Sequence, residues 1–272
     1  MSELLRNPTG MVGIALLSVV GFAVLFGSVL APYDPQAFHP AVRLTGPSAD
    51  HWLGTDQFGR DILSRILTGA RPTVLFGLGA TALGVLAGSI IGVTAGVAGG
   101  WVDSVIMRTL DGFLAVPDLL FTLLIVTMLG GGSNEAMLAV AVAFTPGMAR
   151  ISRSSVLSIR TREYVLAAIA RGENQAYIIT QEVLPNAIGP IIVEATIRVS
   201  FAIMIGATLG FLGLGAQPPS TEWGLMVAEA RQYMFRSIWV VAVPGLAIAA
   251  AALGFNLFGD ALRDAFDPRG RR

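Results

Sequence analysis

Two charges sit where an apolar chain can least accommodate them. Glu194 and Arg198 interrupt the hydrophobic run 187–209. Their four-residue spacing puts both on one helix face, where carboxylate and guanidinium can pair. An ionisable group at the bilayer centre costs about 2.5–3.5 kcal/mol on insertion scales, so such groups face a cavity or a partner helix. The chemistry open to this pair is therefore electrostatic: lining a polar path, or bridging to another helix or subunit. Covalent chemistry has little material. All eighteen basic residues are arginine, and there is no cysteine. Without lysine there is no P-loop to reach nucleotide phosphates and no Schiff base; without cysteine there is no disulfide or thiolate metal site. His39 and His51 stand apart and read as surface loop residues.

The elements that must position the pair are hydrophobic. The chain is 54% hydrophobic and 13% charged, against about 25% charged residues in soluble domains. About 20 apolar residues cross a hydrocarbon core, and the pattern predicts spans at 11–31, 73–99, 112–129, 134–150, 187–209 and 237–258. The first is longer than a signal-peptide core and reads as a retained anchor. The fourth covers only about 25 Å. Segment 32–72 reads as an external loop, with a turn at 54–56 and a short amphipathic surface helix at 61–69. Segment 100–111 reads as a short connection, 210–236 as an external loop and 259–272 as a cytoplasmic tail. Asp118 looks cap-like at the start of the third span. In the second span Ala80, Gly84, Gly88, Gly92, Gly96 and Gly100 form a slowly rotating stripe that lets a neighbouring helix backbone approach.

Between the fourth and fifth spans, 151–186 is the only long polar, helix-prone segment. Good helix formers run from Glu163 to Ala170, Gly172 breaks them, and a second short helix resumes near Tyr177 before Pro185 stops it. Arg150, Arg153, Arg160 and Arg162 give its approach a cationic face. With the N-terminus inside, eleven arginines fall on cytoplasmic segments and six outside, which predicts cytoplasmic N- and C-termini and a cytoplasmic 151–186.

The order Glu163, Ala167, Ala168, Gly172, Leu184, Pro185 resembles the EAA signature of ABC importer permeases. HWLGTDQFGRDILSRILTGARPT, FLGLGAQPPSTEWG and the tail FNLFGDALRDAFDPR resemble segments of the peptide/nickel class, in its second permease subunit, so the resemblance runs from Gly54 to Arg269. Glu173 departs from the small residue expected there. The resemblance implies an all-α integral membrane protein of the bacterial inner membrane, with six transmembrane helices and a cytoplasmic coupling helix pair. It implies a homologous permease partner, two ATPase domains carrying ATP and Mg, and an extracytoplasmic solute-binding protein, with no cofactor or metal on this chain. Glu163, Ala167, Ala168 and Gly172 would form the ATPase docking surface and joint, and Leu184 and Pro185 the return into the fifth span. Cargo would be dipeptides, oligopeptides or a related small solute. The family pattern places an amide near Glu194, a small residue near Arg198 and a carboxylate at Gly206, so the Glu194–Arg198 pair is a candidate for tuning the path. A gradient-driven secondary transporter is the alternative; it calls for acids in broken helices and inverted repeats. Zero formal net charge gives no reason to expect nucleic acid.

Overall fold

The computed structural model describes residues 8–266; Arg6, Arg269, Arg271 and Arg272, counted above for orientation, lie outside them. The first helix, α1, is Pro8–Leu30. Its glycines let it lie against its neighbours, Gly13 on the backbone of Leu257 and Phe258 and Gly27 on the carbonyl of Leu67. The second, α2, is a single helix, Ile62–Ala98, about 55 Å long. The separate surface helix expected at 61–69 is its first turns. Asp61 caps the helix, accepting from the Ser64 N–H at 2.8 Å, and Pro72 lies inside without ending it. Around the proline, the hydroxyls of Thr68 and Thr73 donate to carbonyls one turn back, at 2.8 Å each, the kind of local support that lets proline persist in a membrane helix.

Residues 100–111 are helical, not a loop. They belong to α3, Gly100–Leu114, which turns off α2 at Gly99 (φ +63°) and Gly100 (φ +55°). Helix α4, Asp118–Leu129, is bent 89° from α3. Proline lacks an N–H and steers the preceding residue away from helical geometry, so Pro117 splits the span expected at 112–129. Asp118 opens α4 but makes no capping bond; the N-cap is Pro117. Helix α5, Ser133–Arg160, runs ten residues past the expected end at 150. It carries α3 through ion pairs from Arg153 to Asp103 (2.5 Å) and from Arg150 to Asp111. The approach is thus less cationic than its sequence suggests.

After α5 come α6, Glu163–Ala170, a single turn α7, Gln175–Tyr177, and a π-helical stretch, Ile178–Val183. That stretch leads straight into α8, Leu184–Phe211. Helix α9, Trp223–Ala230, lies within the expected 210–236 loop, and α10, Trp239–Phe266, extends past 258 into the expected tail. Four described helices are long and apolar enough to cross a membrane, and the bent α3–α4 pair would make a fifth. Helix α5 has the length for a sixth, 28 residues, but polar ends.

The closest packing in the bundle is α2 on α5. A Cβ on Gly84 would lie 2.8 Å from the Ala141 carbonyl oxygen, one on Gly88 2.6 Å from that of Thr145, and one on Gly92 would collide with that of Ala149. The stripe is thus a backbone-to-backbone seam, as lipid-buried helices use in place of hydrophobic drive. Gly100 is not part of it, having open space around it. We expect Gly92→Ala to destabilise the folded chain by about 1–3 kcal/mol, the usual cost of overpacking. Gly21→Ala, with nothing within 4 Å, should be nearly silent. Thermal unfolding of both variants in one detergent checks the contrast.

Candidate coupling and translocation site

Helix α6 has two unlike faces. Val165 is buried with Val156, Ile159, Val183 and Ala187 in one apolar cluster, and Ala168 is buried as well. That cluster sets the helix against the end of α5 and the start of α8. Leu166, which points away from that cluster, is 52% exposed, Ile169 at its flank is 53% exposed, and Tyr164 is also exposed. Glu163 lies in the first turn, where the helix dipole favours a carboxylate.

The helix ends in a Schellman motif. Glu173 N–H donates to the Ala168 carbonyl at 3.2 Å and Gly172 N–H to that of Ile169 at 2.9 Å, with Gly172 at φ +80°. A Cβ on Gly172 would meet nothing within 4 Å, so its constraint is backbone handedness, not space. Asn174 then caps the next turn, its side chain accepting from Tyr177 N–H at 2.8 Å.

Of the residues chosen from sequence, Glu163, Ala167 and Gly172 are exposed, Ala168 is buried, Leu184 is half-buried and Pro185 is exposed. Pro185 does not end a second short helix, because the chain stays helical from Gln175 to Phe211. The wider π turn at Ile178–Val183, in which the Leu184 N–H reaches back to Ile179, lets Pro185 enter at the first turn of α8, where a missing N–H is tolerated. Leu166 and Ile169 were missed. Their large apolar side chains, three residues apart and additional to the buried Val165 and Ala168 of the same helix, were the available signal.

Within α8, Glu194 Oε1 is 3.2 Å from Arg198 Nε, and the two side chains are 22% and 15% exposed. The guanidinium crosses to α5, lying 5.1 Å from the Phe144 ring centroid. A Cβ on Gly147 would be 2.6 Å from its Nη2. Arg198 therefore braces α8 on α5, while Glu194 lines a cavity of about 790 Å³ between α5, α6, α8 and α10. At Gly206 a Cβ would be 2.6 Å from Phe76 Cδ1. The volume that a carboxylate side chain would need there is taken by an aromatic ring.

A second group of charges closes the opposite, N-terminal end of α2. Arg60 Nε is 2.6 Å from Asp56 Oδ2, and Arg60 Nη2 is 2.7 Å from Glu229 Oε2. Arg65 reaches both carboxylates at 3.2 Å. Two arginines and two acids, from the 32–72 segment, α2 and α9, thus form one neutral network. His51, expected at the surface, is half-buried with Nδ1 2.9 Å from Asp61 Oδ1; His39 is exposed. The sequence offered Asp56–Arg60 at helical spacing but nothing that pointed to Glu229.

Beside this network Glu222 caps α9, accepting from Gly224 and Leu225 N–H at 3.0 and 2.9 Å. Burial pushes its carboxyl up, and those two bonds pull it partly back. Burial also pushes up Glu229, opposed by Arg60 and reinforced by Asp56. A carboxyl raised on folding adds stability that is full below its unfolded value, about 4.5, and is lost as pH rises through the folded value. In Glu222→Gln that loss should vanish, so the variant's melting temperature should fall less than the wild type's on going from pH 4.5 towards neutrality. Parallel slopes would refute it.

An apolar helical bundle with one short helix whose large apolar side chains are exposed fits a membrane permease, and the relatives of this chain give its class as the ABC transporter type. The chain belongs to the family of binding-protein-dependent transport system inner membrane components, which it matches over residues 84–272. Residues 1–47 match the N-terminal transmembrane domain of oligopeptide transport permease C. It is 41% identical to a dipeptide transport system permease protein of Alkalihalophilus pseudofirmus, over 98% of this chain and 88% of that one. It is also 41% identical to a probable D,D-dipeptide transport system permease protein of Escherichia coli, over 97% and 88%. A glutathione transport system permease protein of Pectobacterium atrosepticum is 39% identical over 94% and 85%. Among solved structures, a chain of the inward-facing MetNI methionine ABC transporter superposes with a TM-score of 0.62 at 18% identity, covering 75% of this chain and 97% of that one; at that identity the likeness speaks for the fold.

Proposed function

We propose that this permease forms half of the translocation path of an ATP-driven importer of dipeptides or oligopeptides. The observation that carries the cargo class is the relationship to dipeptide permeases across nearly the whole chain. In this account the second half is a homologous permease subunit, cargo is delivered by an extracytoplasmic solute-binding protein, and two partner ATPase domains bind ATP and Mg. This chain itself does no covalent chemistry. Both termini and α6 face the cytoplasm of an inner-membrane protein. ATP binding closes the ATPase pair and moves α6. Glu163, Ala167 and Gly172 present the docking surface and joint, Ala168 lies buried beneath them, and Leu184 and Pro185 carry the movement into α8.

Reconstitution with its partners in liposomes tests this directly. Uptake of a dipeptide should require ATP and the binding protein; uptake driven by an ion gradient without ATP would instead identify a secondary transporter. In the same liposomes Glu194→Gln with Arg198→Gly should change the relative rates for different peptides, since Glu194 lines the cavity and Arg198 fixes α8 on α5. Unchanged preference and rate would remove the pair from the path.

A further inference from the structure

The charge network at the N-terminal end of α2 contains two side-chain atoms that its ion pairs do not use. Gln57 Oε1 and Arg65 Nε are buried and make no hydrogen bond to any described residue. Neither is open to bulk solvent, since Gln57 is 5% exposed and Arg65 2%. Buried polar atoms in folded proteins are nearly all paired, because an unpaired one bears the whole cost of leaving water. The two have opposite needs: the amide oxygen can only accept, and the Nε–H can only donate.

Both residues line one small cavity, which Asp56 and Glu229 also line, with Ile62 and Met226 among its apolar walls. Its volume is about 10 Å³, close to the ~10–15 Å³ that a single water molecule requires. Size excludes any larger ligand, and charge excludes the small ions. A cation would meet the Nε–H of a guanidinium already shared between Asp56 Oδ2 and Glu229 Oε2. An anion would meet those same two carboxylates and the Gln57 carbonyl. The occupant has to be neutral, and it has to donate and accept at once.

We infer that this cavity binds one water molecule, which accepts from Arg65 Nε–H and donates to Gln57 Oε1. Its second hydrogen goes to the carboxylate of Glu229, whose Oε2 already takes both arginines. That makes about three hydrogen bonds, the usual number for a buried water. The water joins three parts of the chain: Gln57 from the 32–72 segment, Arg65 from α2 and Glu229 from α9. In the turn around Gln57, the Asp56 carboxylate accepts from the Phe58 and Arg60 N–H groups at 2.8 and 2.9 Å. The backbone of this turn is thus held by Asp56, and the Gln57 side chain by the water. The ion pair of Arg60 with Glu229 is one attachment of the 32–72 segment to α9; the water supplies a second. This site is independent of the cargo and of the partners proposed above.

The test is a cryo-electron microscopy map of the full chain, assembled with its partners in nanodiscs, at a resolution that shows ordered water. We expect a peak at hydrogen-bonding distance, about 2.7–3.2 Å, from both Gln57 Oε1 and Arg65 Nε. The comparison is Gln57→Met, which keeps the length of the side chain and removes its acceptor. There the peak should disappear or lose most of its height. Protease should also cut the 32–72 segment about fivefold faster, the worth of one hydrogen bond, since cleavage follows the population of the opened form. A wild-type map with both side chains in place and no peak would overturn the site. So would an undiminished peak in Gln57→Met. Loss of the peak with unchanged cleavage would overturn the water's part in holding the segment. The wild-type map decides the site by itself, so a variant that fails to fold cannot disguise the answer.

Discussion

Arg65→Met should destabilise the protein by about 3–5 kcal/mol at the N-terminal end of α2, the range for removing one partner from a buried ion pair. Arg65 is 2% exposed, and like Arg60 it touches both Asp56 and Glu229. Its loss leaves two carboxylates sharing Arg60 in a poorly hydrated site, with Glu229 already penalised by burial. The stem is not the issue, because methionine fills much of the same volume. What fails is charge balance. Arg65→Met combined with Glu229→Gln should therefore recover a large part of the loss, since two unlike charges leave together. Thermal unfolding of the single and double variants in detergent reads the result; a double variant as unstable as the sum of its singles would show that the network is not coupled. Because the network ties the 32–72 segment to α9, the single variant should also expose the former to protease.

Leu166→Asp with Ile169→Asp should cut association with the ATPase by at least 30-fold while leaving the melting temperature of the permease nearly unchanged. Both side chains are more than half exposed on the outer face of α6, so the folded chain gives up little when they become charged. A buried apolar anchor at a protein interface is commonly worth 2 kcal/mol or more, and 1.4 kcal/mol is tenfold in affinity. Val165→Asp is the contrasting variant. Its side chain is buried in the cluster with Ile159 and Val183, so it should lower the melting temperature itself. Co-purification with the ATPase and peptide-stimulated hydrolysis give the comparison. Full coupling in the double aspartate variant would move the docking surface elsewhere on the chain. Gly172→Arg acts differently: a non-glycine residue in the left-handed region costs about 1–2 kcal/mol, and the loosened motif lets α6 change its angle to α8.

The apolar runs made the bundle legible in the sequence, and the glycine stripe made its tightest seam legible, because both signals are local and periodic. The breaks were harder. Pro72, Pro146 and Pro185 carry the same local message, yet all lie within continuous helices. Nearby threonine hydroxyls accompany the first two and a π turn precedes the third. Pro117, by contrast, does split its span, and nothing in its neighbours announced the difference. Residues 100–111 hid a helix because its charges suggested a loop; Asp103 and Asp111 are instead the contacts that hold it to α5. The candidate site divided in the same way. The signature located α6 and its glycine end, but not which side faces outward, since that depends on Val183 and Ala187, fifteen or more residues away. The Asp56–Arg60–Arg65–Glu229 network joins residues more than 160 positions apart, a relation that no window along the chain can contain.

The seam between α2 and α5 has a mechanical consequence. With glycine opposite backbone at Gly84, Gly88 and Gly92, one helix cannot slide along the other without its chain climbing over a carbonyl. The two helices thus behave as a single spar. Displacement within the subunit is left to the parts not clamped to it so closely: the elbow between α3 and α4, and α6 pivoting at Gly172. A label on the spar is a fixed origin, against which movement of those two joints can be measured in ångströms.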